Sequence, residues 1–293
     1  MYITYNMISK YFNKKYYKSY HSNGFILLKN FINKNECLKA ANWLNSQDQK
    51  KFANSWTEQE PGVPLAVYFS IHKKKTPLSK LINDEKILKF ASMLTGDKCY
   101  IYSSKVNLKK AWCGAVEYYH QDLVYWKDRG YPRQDLLSAM IFLEPHNITN
   151  AALNVIPKSH KKGFIKHESF ININGLSKFM IPPRKLNQLN RKNQPKIITA
   201  NVGDVLFFHM ALVHGSSHNI SSKGRMILLS QINTINNIPK NIEKNSKKFN
   251  LYRAKKEMLE SKRRYEWFKN KYKKQLLSKK LTFHAPISKE EKK

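Results

Sequence analysis

The apolar positions of this chain change their period near residue 97. Before it they recur mostly at helical spacing. After it they fall into short runs and alternations of strand length. Residues 1–19 are rich in Tyr and Lys and show no clear periodicity. Ser22-Asn23-Gly24 marks a turn, and Phe25-Ile26-Leu27-Leu28 reads as a short buried strand. Asn33 is placed to cap a helix, with Glu36 at the third position as in a capping box. The helix that follows gathers Cys37, Ala40, Ala41 and Leu44 on one face. Residues 50–75 read as loop. Thr76 to Thr95 reads as helix in two pieces broken near Asn83. Asp84 caps the second piece, Ile87, Leu88, Ala91 and Leu94 form its stripe, and Gly96 closes it.

From Lys98 onward strands dominate. Cys99 to Leu108, the segment Val116 to Tyr119, Leu136 to Leu143 and Leu153 to Ile156 are the first four. Ile197 to Thr199, Val205 to Phe208 and Met226 to Ile232 complete the set, with Gly203-Asp204 as a turn. Residues 170–196 hold Asn, Pro and Lys and read as an insertion or lid loop. Helices followed by many short strands predict an α+β fold with a β-sandwich or jelly roll at its centre. Beyond Ile238 the chain turns heavily basic. Leu251, Ala254, Met258, Tyr265, Phe268, Tyr272 and Leu276 recur there at helical spacing, which predicts one or two amphipathic helices packed on the roll.

Composition modifies this picture in two ways. The net charge of +33 is extreme. It fits attraction of an anion, whether a small acid, a membrane surface or nucleic acid. It fits equally a chain crowded with Lys, Asn, Ile and Tyr, the residues of A/T-rich codons. The Lys residues are scattered, which favours the second source. Cys37, Cys99 and Cys113 form no close pair, so they read as reduced thiols rather than as a disulfide framework or zinc site. No signal-peptide core and no membrane-spanning run is seen, so a soluble cytoplasmic protein is expected.

The candidate chemistry lies in Tyr119-His120-Gln121-Asp122. In an extended strand, His120 and Asp122 project to the same face and can grip one metal. His214, in Leu212-Val213-His214-Gly215-Ser216, is a candidate second imidazole. His209 competes with it, and otherwise reads as a core histidine. Two His and one carboxylate on one face of a metal form the facial triad of non-haem Fe(II) oxygenases. Arg225 follows His214 by eleven residues, far enough to return along a neighbouring strand and take a carboxylate in a bidentate pair.

This ordered set resembles the phytanoyl-CoA dioxygenase family of Fe(II)/2-oxoglutarate oxygenases. Within it the chain is similar to the ectoine hydroxylase-like branch over roughly residues 20 to 235. Ser104-Lys105-Val106-Asn107, His120-Gln121-Asp122 with Trp126, and His214-Gly215-Ser216 with Asn219 and Arg225 carry the likeness. The resemblance implies a double-stranded β-helix, a cupin-like jelly roll at about 98–235. It also implies a dioxygenase domain over 1–238, leaving 239–293 as a basic helical extension. It implies Fe(II) held by His120, Asp122 and His214, and 2-oxoglutarate as co-substrate on Arg225, Asn107 and Ser216, with O2 as oxidant. Lys105 and Gln121 are expected to line the substrate pocket. Trp126 forms a wall over it or belongs to the core. Halogenating members lack the carboxylate, so Asp122 points to hydroxylation.

Ile156-Pro157-Lys158-Ser159-His160 resembles the family's Pro-Gly-Ser-His turn, with Lys158 in place of Gly; the turn must therefore avoid the left-handed conformation or bear strain. Ectoine hydroxylases carry Gln and Phe where Ser103 and Leu229 stand, so the likeness extends to the chemistry and not to the substrate. A small-molecule metabolite is expected, an amino-acid derivative or an acyl-type acid with an anionic handle. The rival readings are a nucleic-acid-directed protein on the same roll and a non-enzymatic roll that retains a metal.

Overall fold

The computed structural model describes residues 14–47, 55–60, 63–114, 116–126, 131, 133, 136–171 and 177–237. The basic segment 239–293, with its expected helices, lies outside the described residues. Thirteen strands and five helices are described. Helix α1 (Lys14–Asn23) leads into β1 (Phe25–Leu28), and α2 (Lys34–Asn45) follows. Asn33 caps α2, its side chain accepting from the Asn35 and Glu36 amides. Strands β2 (Ser55–Glu60) and β3 (Val63–Phe69) form a hairpin. Helices α3 (Pro77–Ile82) and α4 (Glu85–Thr95) are divided at Asn83 and Asp84, and Gly96 closes α4 in the left-handed conformation.

The strands β4 (Cys99–Lys109), β6 (Leu137–Phe142), β11 (Val205–His209) and β13 (Arg225–Thr234) join β1, β3 and β2 in one antiparallel sheet of seven, in the order β1-β11-β6-β13-β4-β3-β2. A second antiparallel sheet has four short strands, in the order β10 (Lys196–Ile198), β7 (Leu153–Val155), β12 (His214–Ser216) and β5 (Glu117–His120). A small hairpin of β8 (Glu168–Ile171) and β9 (Ser177–Met180) precedes helix α5 (Pro183–Lys192).

The two faces of the large sheet do different work. Phe207, Val205, Ile141, Ala139, Leu228, Met226, Val106 and Leu108 face α2, α3 and α4 and pack with Leu44, Ile82, Ile87 and Phe90. Their neighbours Leu206, Phe208, Met140, Phe142, Ile227 and Leu229 face the small sheet and meet Leu153, Val155 and Ile198. Central strands β6 and β13 are therefore buried at every position, which accounts for their continuous apolar runs. Two antiparallel sheets enclosing a shared core, with helices on the outer face of one, match the expected α+β jelly roll.

Three local expectations are corrected. Residues 14–19, read as aperiodic, belong to α1, which runs on through Ser22 and Asn23 to the turn at Gly24. There Tyr20 is buried, while the flanking Tyr16 and Tyr17 stay partly exposed, so the apolar stripe is too thin to read. The 50–75 loop contains the β2–β3 hairpin, an edge addition with register irregularities that blur its alternation. The 170–196 loop contains β9 and α5. Helix α5 buries no residue fully and packs through only two half-buried side chains, Leu186 and Leu189, amid a polar composition that reads as loop.

Candidate functional site

The small sheet brings the two imidazoles together. Strands β12 and β5 pair with His214 opposite His120, and the ring centroids lie 4.5 Å apart. Gly215 is required between His214 and Ser216, because a Cβ there would stand 2.8 Å from the Glu117 carbonyl oxygen. Each imidazole donates its Nδ1 proton to the backbone two residues earlier. His120 bonds the Tyr118 carbonyl at 2.7 Å and His214 the Leu212 carbonyl at 2.9 Å. Both Nε2 lone pairs are thereby directed toward Asp122, whose Oδ1 lies 3.8 Å from His120 and 3.7 Å from His214. Asp122 Oδ2 accepts from the Ser138 hydroxyl on β6 at 3.1 Å.

The three ligand atoms fall within 4.8 Å of one another, and all three residues are buried. Burial and the nearby His214 push the His120 pKa down to about 4, so its imidazole is neutral at pH 7 and able to donate to a metal. The expected single strand through His120 and Asp122 is corrected: β5 ends at His120, and Asp122 opens a 3₁₀ turn, Asp122–Tyr125. Gln121 remains extended (φ −112°, ψ 132°), and that one residue preserves the shared face.

The outlying candidates separate cleanly. His209 caps its own turn, its Nδ1 accepting from the Ala211 amide at 3.0 Å, and it stays outside the cluster. Gln121, expected in the pocket, faces the other way, as the residue between two ligands must. Its side-chain amide donates to the Gly163 and Ala211 carbonyls and accepts from the Ile165 amide, which leaves its buried polar atoms satisfied. Trp126 packs edge-on against Tyr102 at 4.4 Å, among Tyr100, Leu123 and Leu136. Of its two readings the structure shows the core one.

Arg225 opens β13 and is 5% exposed. One of its Nη1 protons goes to the Ala151 carbonyl, and its Nε has no partner among the described residues. Burial pushes its pKa down to about 10, still far above neutrality, so a full charge is held in the interior. Asn219 organises the turn that delivers it, donating to the Lys110 and Lys223 carbonyls.

The inner face of β4 runs Ser103, Lys105, Asn107, Lys109, opposite Gln231, Leu229, Ile227 and Arg225 on β13. Asn107 Oδ1 is buried and has no hydrogen-bond partner among the described residues. Ser216 accepts from Lys109 at 2.9 Å, and Lys109 also donates to the Ser217 carbonyl at 2.7 Å. Lys109 was missed in the sequence, although it continues the alternation of Lys105 and Asn107 by one step. The pair Glu117–Lys178 (2.8 Å) was missed as well, because Lys178 arrives from the segment read as loop. Lys178 is the main charge holding the Glu117 carboxyl well below its ordinary range, against the opposing effect of burial.

Lys158 does adopt the left-handed conformation (φ 65°). The turn it opens supports the site, since Ser159 Oγ accepts from the Val213 amide at 2.8 Å, directly before His214.

Comparison with known proteins agrees with this geometry. Residues 20–227 match the family model described as phytanoyl-CoA dioxygenase. The chain is 28% identical over 233 residues to an ectoine dioxygenase of Bordetella bronchiseptica, covering 75% of this chain and 76% of that one. It is 27% identical over 172 residues to an L-proline trans-4-hydroxylase of Streptomyces griseoviridis, covering 55% and 64%. Its structure resembles that of EctD from S. alaskensis with 2-oxoglutarate and 5-hydroxyectoine, at a TM-score of 0.66 and 25% identity over 82% of this chain and 83% of that one.

Proposed function

The chain belongs to the phytanoyl-CoA dioxygenase family, and from that premise we propose that it is an iron- and 2-oxoglutarate-dependent dioxygenase that hydroxylates a small-molecule metabolite. The observation that carries this reading is the convergence of the His120, Asp122 and His214 donor atoms within 4.8 Å, buried, on a sheet pair that also buries Arg225. The substrate is an amino-acid derivative or an acyl-type acid. The overall change is balanced: R–H, O2 and 2-oxoglutarate give R–OH, succinate and CO2.

The residues of the site fit both an iron and 2-oxoglutarate. Two imidazole Nε2 atoms and a carboxylate are the donor set of a non-haem ferrous site. The buried Arg225 and the unpaired Asn107 Oδ1 suit a co-substrate that brings both a carboxylate and polar partners of its own. When bound, the iron with 2-oxoglutarate supplies oxygen activation, as cofactor chemistry that the protein directs.

This chain's own residues do the rest. The Tyr118 and Leu212 carbonyls fix the tautomer of His120 and His214, and Ser138 fixes the rotation of Asp122. Arg225 would hold a carboxylate of 2-oxoglutarate when that co-substrate is bound. Lys109 and Ser216, already bonded to each other, supply a second cation and a hydroxyl beside it. The apolar layer of Phe142, Phe208, Ile227 and Leu229 excludes water from that end of the roll.

The test is succinate formation from 2-oxoglutarate with added Fe(II), in the wild type and in His120→Ala and Asp122→Ala. Metal-dependent succinate that disappears in both variants supports the reading. A wild-type protein that binds no divalent metal ends it.

A further inference from the structure

Three of the loops that join the large sheet to the small one carry apolar side chains outward. The β4–β5 loop presents Trp112, the β6–β7 loop Ile148 and the β12–β13 loop Ile220. At 71%, 64% and 66% exposure these are the three most exposed large apolar side chains among the described residues, and Tyr118 follows at 49%. The loops are bonded into one face. The Trp112 amide donates to the Ser221 carbonyl at 3.0 Å, and the Ile220 amide donates to the Thr149 carbonyl, next to Ile148, at 2.9 Å. The Asn219 side chain ties the first loop to the third by donating to the Lys110 carbonyl at 2.9 Å. Trp112 also holds φ 60°, a left-handed conformation that is costly for a bulky residue. A strained turn therefore displays an indole to solvent, where folding gains nothing from it.

Single apolar residues scattered on a surface are ordinary, but a cluster of them marks an interaction site. Charge selects the partner. Lys110 and Lys223 of the same loops are exposed, and residues 110–114, 145–150 and 217–224 contain no Asp or Glu. Glu144, just before the second loop, is half-buried and turned against Gly224. A second copy of this chain would bring the same lysines and a net charge of +33 against this face. The basic segment 239–293 would meet the same repulsion. An anionic bilayer supplies both complements. Its headgroups offer charge to the lysines, and its acyl boundary takes Trp and Ile, Trp being a side chain that settles at that depth.

We propose that the Trp112–Ile148–Ile220 face docks the protein on an anionic lipid bilayer, with the three side chains entering the headgroup boundary and Lys110 and Lys223 meeting the lipid phosphates. The docking is independent of the dioxygenase chemistry.

In the test, the full chain is sedimented at physiological salt with vesicles of equimolar phosphatidylglycerol and phosphatidylcholine, and with vesicles of phosphatidylcholine alone. Binding to the mixed vesicles is expected to be about tenfold or more the stronger. The triple variant Trp112→Gly, Ile148→Ser, Ile220→Ser, in which glycine suits the backbone at position 112, is expected to lose that binding by about tenfold or more. Leu38→Ser, at an exposed position on α2, should lose none. A second measurement needs only a mild change: bromine-labelled acyl chains are expected to quench the tryptophan fluorescence of the wild type by an amount that is lost in Trp112→Phe. A triple variant that binds as tightly as the wild type would overturn the proposal, because charge alone would then account for the binding. A wild type that ignores the mixed vesicles, or quenching that survives in Trp112→Phe, would also overturn it. So would a wild type that is dimeric without lipid and becomes monomeric in the triple variant, since a second copy would then cover this face.

Discussion

Two backbone carbonyls decide the chemistry of the candidate site at the scale of single residues. By taking the Nδ1 protons, Tyr118 and Leu212 leave both Nε2 atoms as acceptors aimed at one point. His209 has no equivalent role, since its Nδ1 is occupied by the Ala211 amide. His214→Ala is therefore expected to lower metal-dependent succinate formation by more than about 100-fold, whereas His209→Ala should retain most of it. Metal content per chain and succinate yield check this pair. Arg225→Lys keeps the charge and loses the planar fork, so the KM for 2-oxoglutarate is expected to rise about tenfold or more with the fold intact. The four residues at the centre were legible because their types and order are restrictive. Gln121 was misread because neighbourhood in sequence was taken for neighbourhood in space; alternation sends it to the opposite side, where three backbone groups use it.

At the scale of elements, β4 shows how one strand serves two layers. Val106 and Leu108 enter the helix-covered core, while Lys105, Asn107 and Lys109 line the interior of the roll. Strands such as β6, buried on both faces, were legible as apolar runs. The edge hairpin β2–β3 and helix α5 were not: the hairpin's register is irregular, and α5 offers only the half-buried Leu186 and Leu189 as its apolar contacts. The Pro157–His160 turn bears a measurable strain. Lys158 holds φ 65°, a conformation that costs a residue with a Cβ roughly 1 kcal/mol or more. Lys158→Gly should therefore raise stability by about 0.5–1 kcal/mol, seen as a higher denaturation midpoint, part of the gain being offset by the freer unfolded chain. Asp204 ties β1 to β11 by accepting from the Asn30 and Asn201 amides and from Lys29. Removing that buried carboxylate in Asp204→Ala strands two amides, and a loss of about 2–4 kcal/mol is expected in the same denaturation experiment.

For the molecule as a whole, the +33 charge is the least specific feature and the most conspicuous. Within the site, Lys178 and Lys109 act on the Glu117 carboxylate and Arg225 stays charged in the interior. Outside it, scattered Lys residues form no recognisable nucleic-acid motif. Duplex DNA binding is accordingly expected to ignore sequence and to weaken by about 10³-fold or more between about 50 and about 200 mM salt. Sequence-dependent binding that survives the higher salt, measured by mobility shift, would favour a nucleic-acid-directed enzyme instead. No described helix is long and apolar enough to cross a membrane.

The division of labour between the sheets has a mechanical side. His120 and His214 belong to strands of three or four residues in the small sheet, while Arg225, Asn107 and Lys109 belong to long strands of the large one. A metal gripped by one layer and a dicarboxylate gripped by both would act as a rivet through the roll. The small layer, too short to be stiff by itself, would then borrow rigidity from its own cargo, and the loaded protein would melt later and exchange its amide protons more slowly than the stripped one.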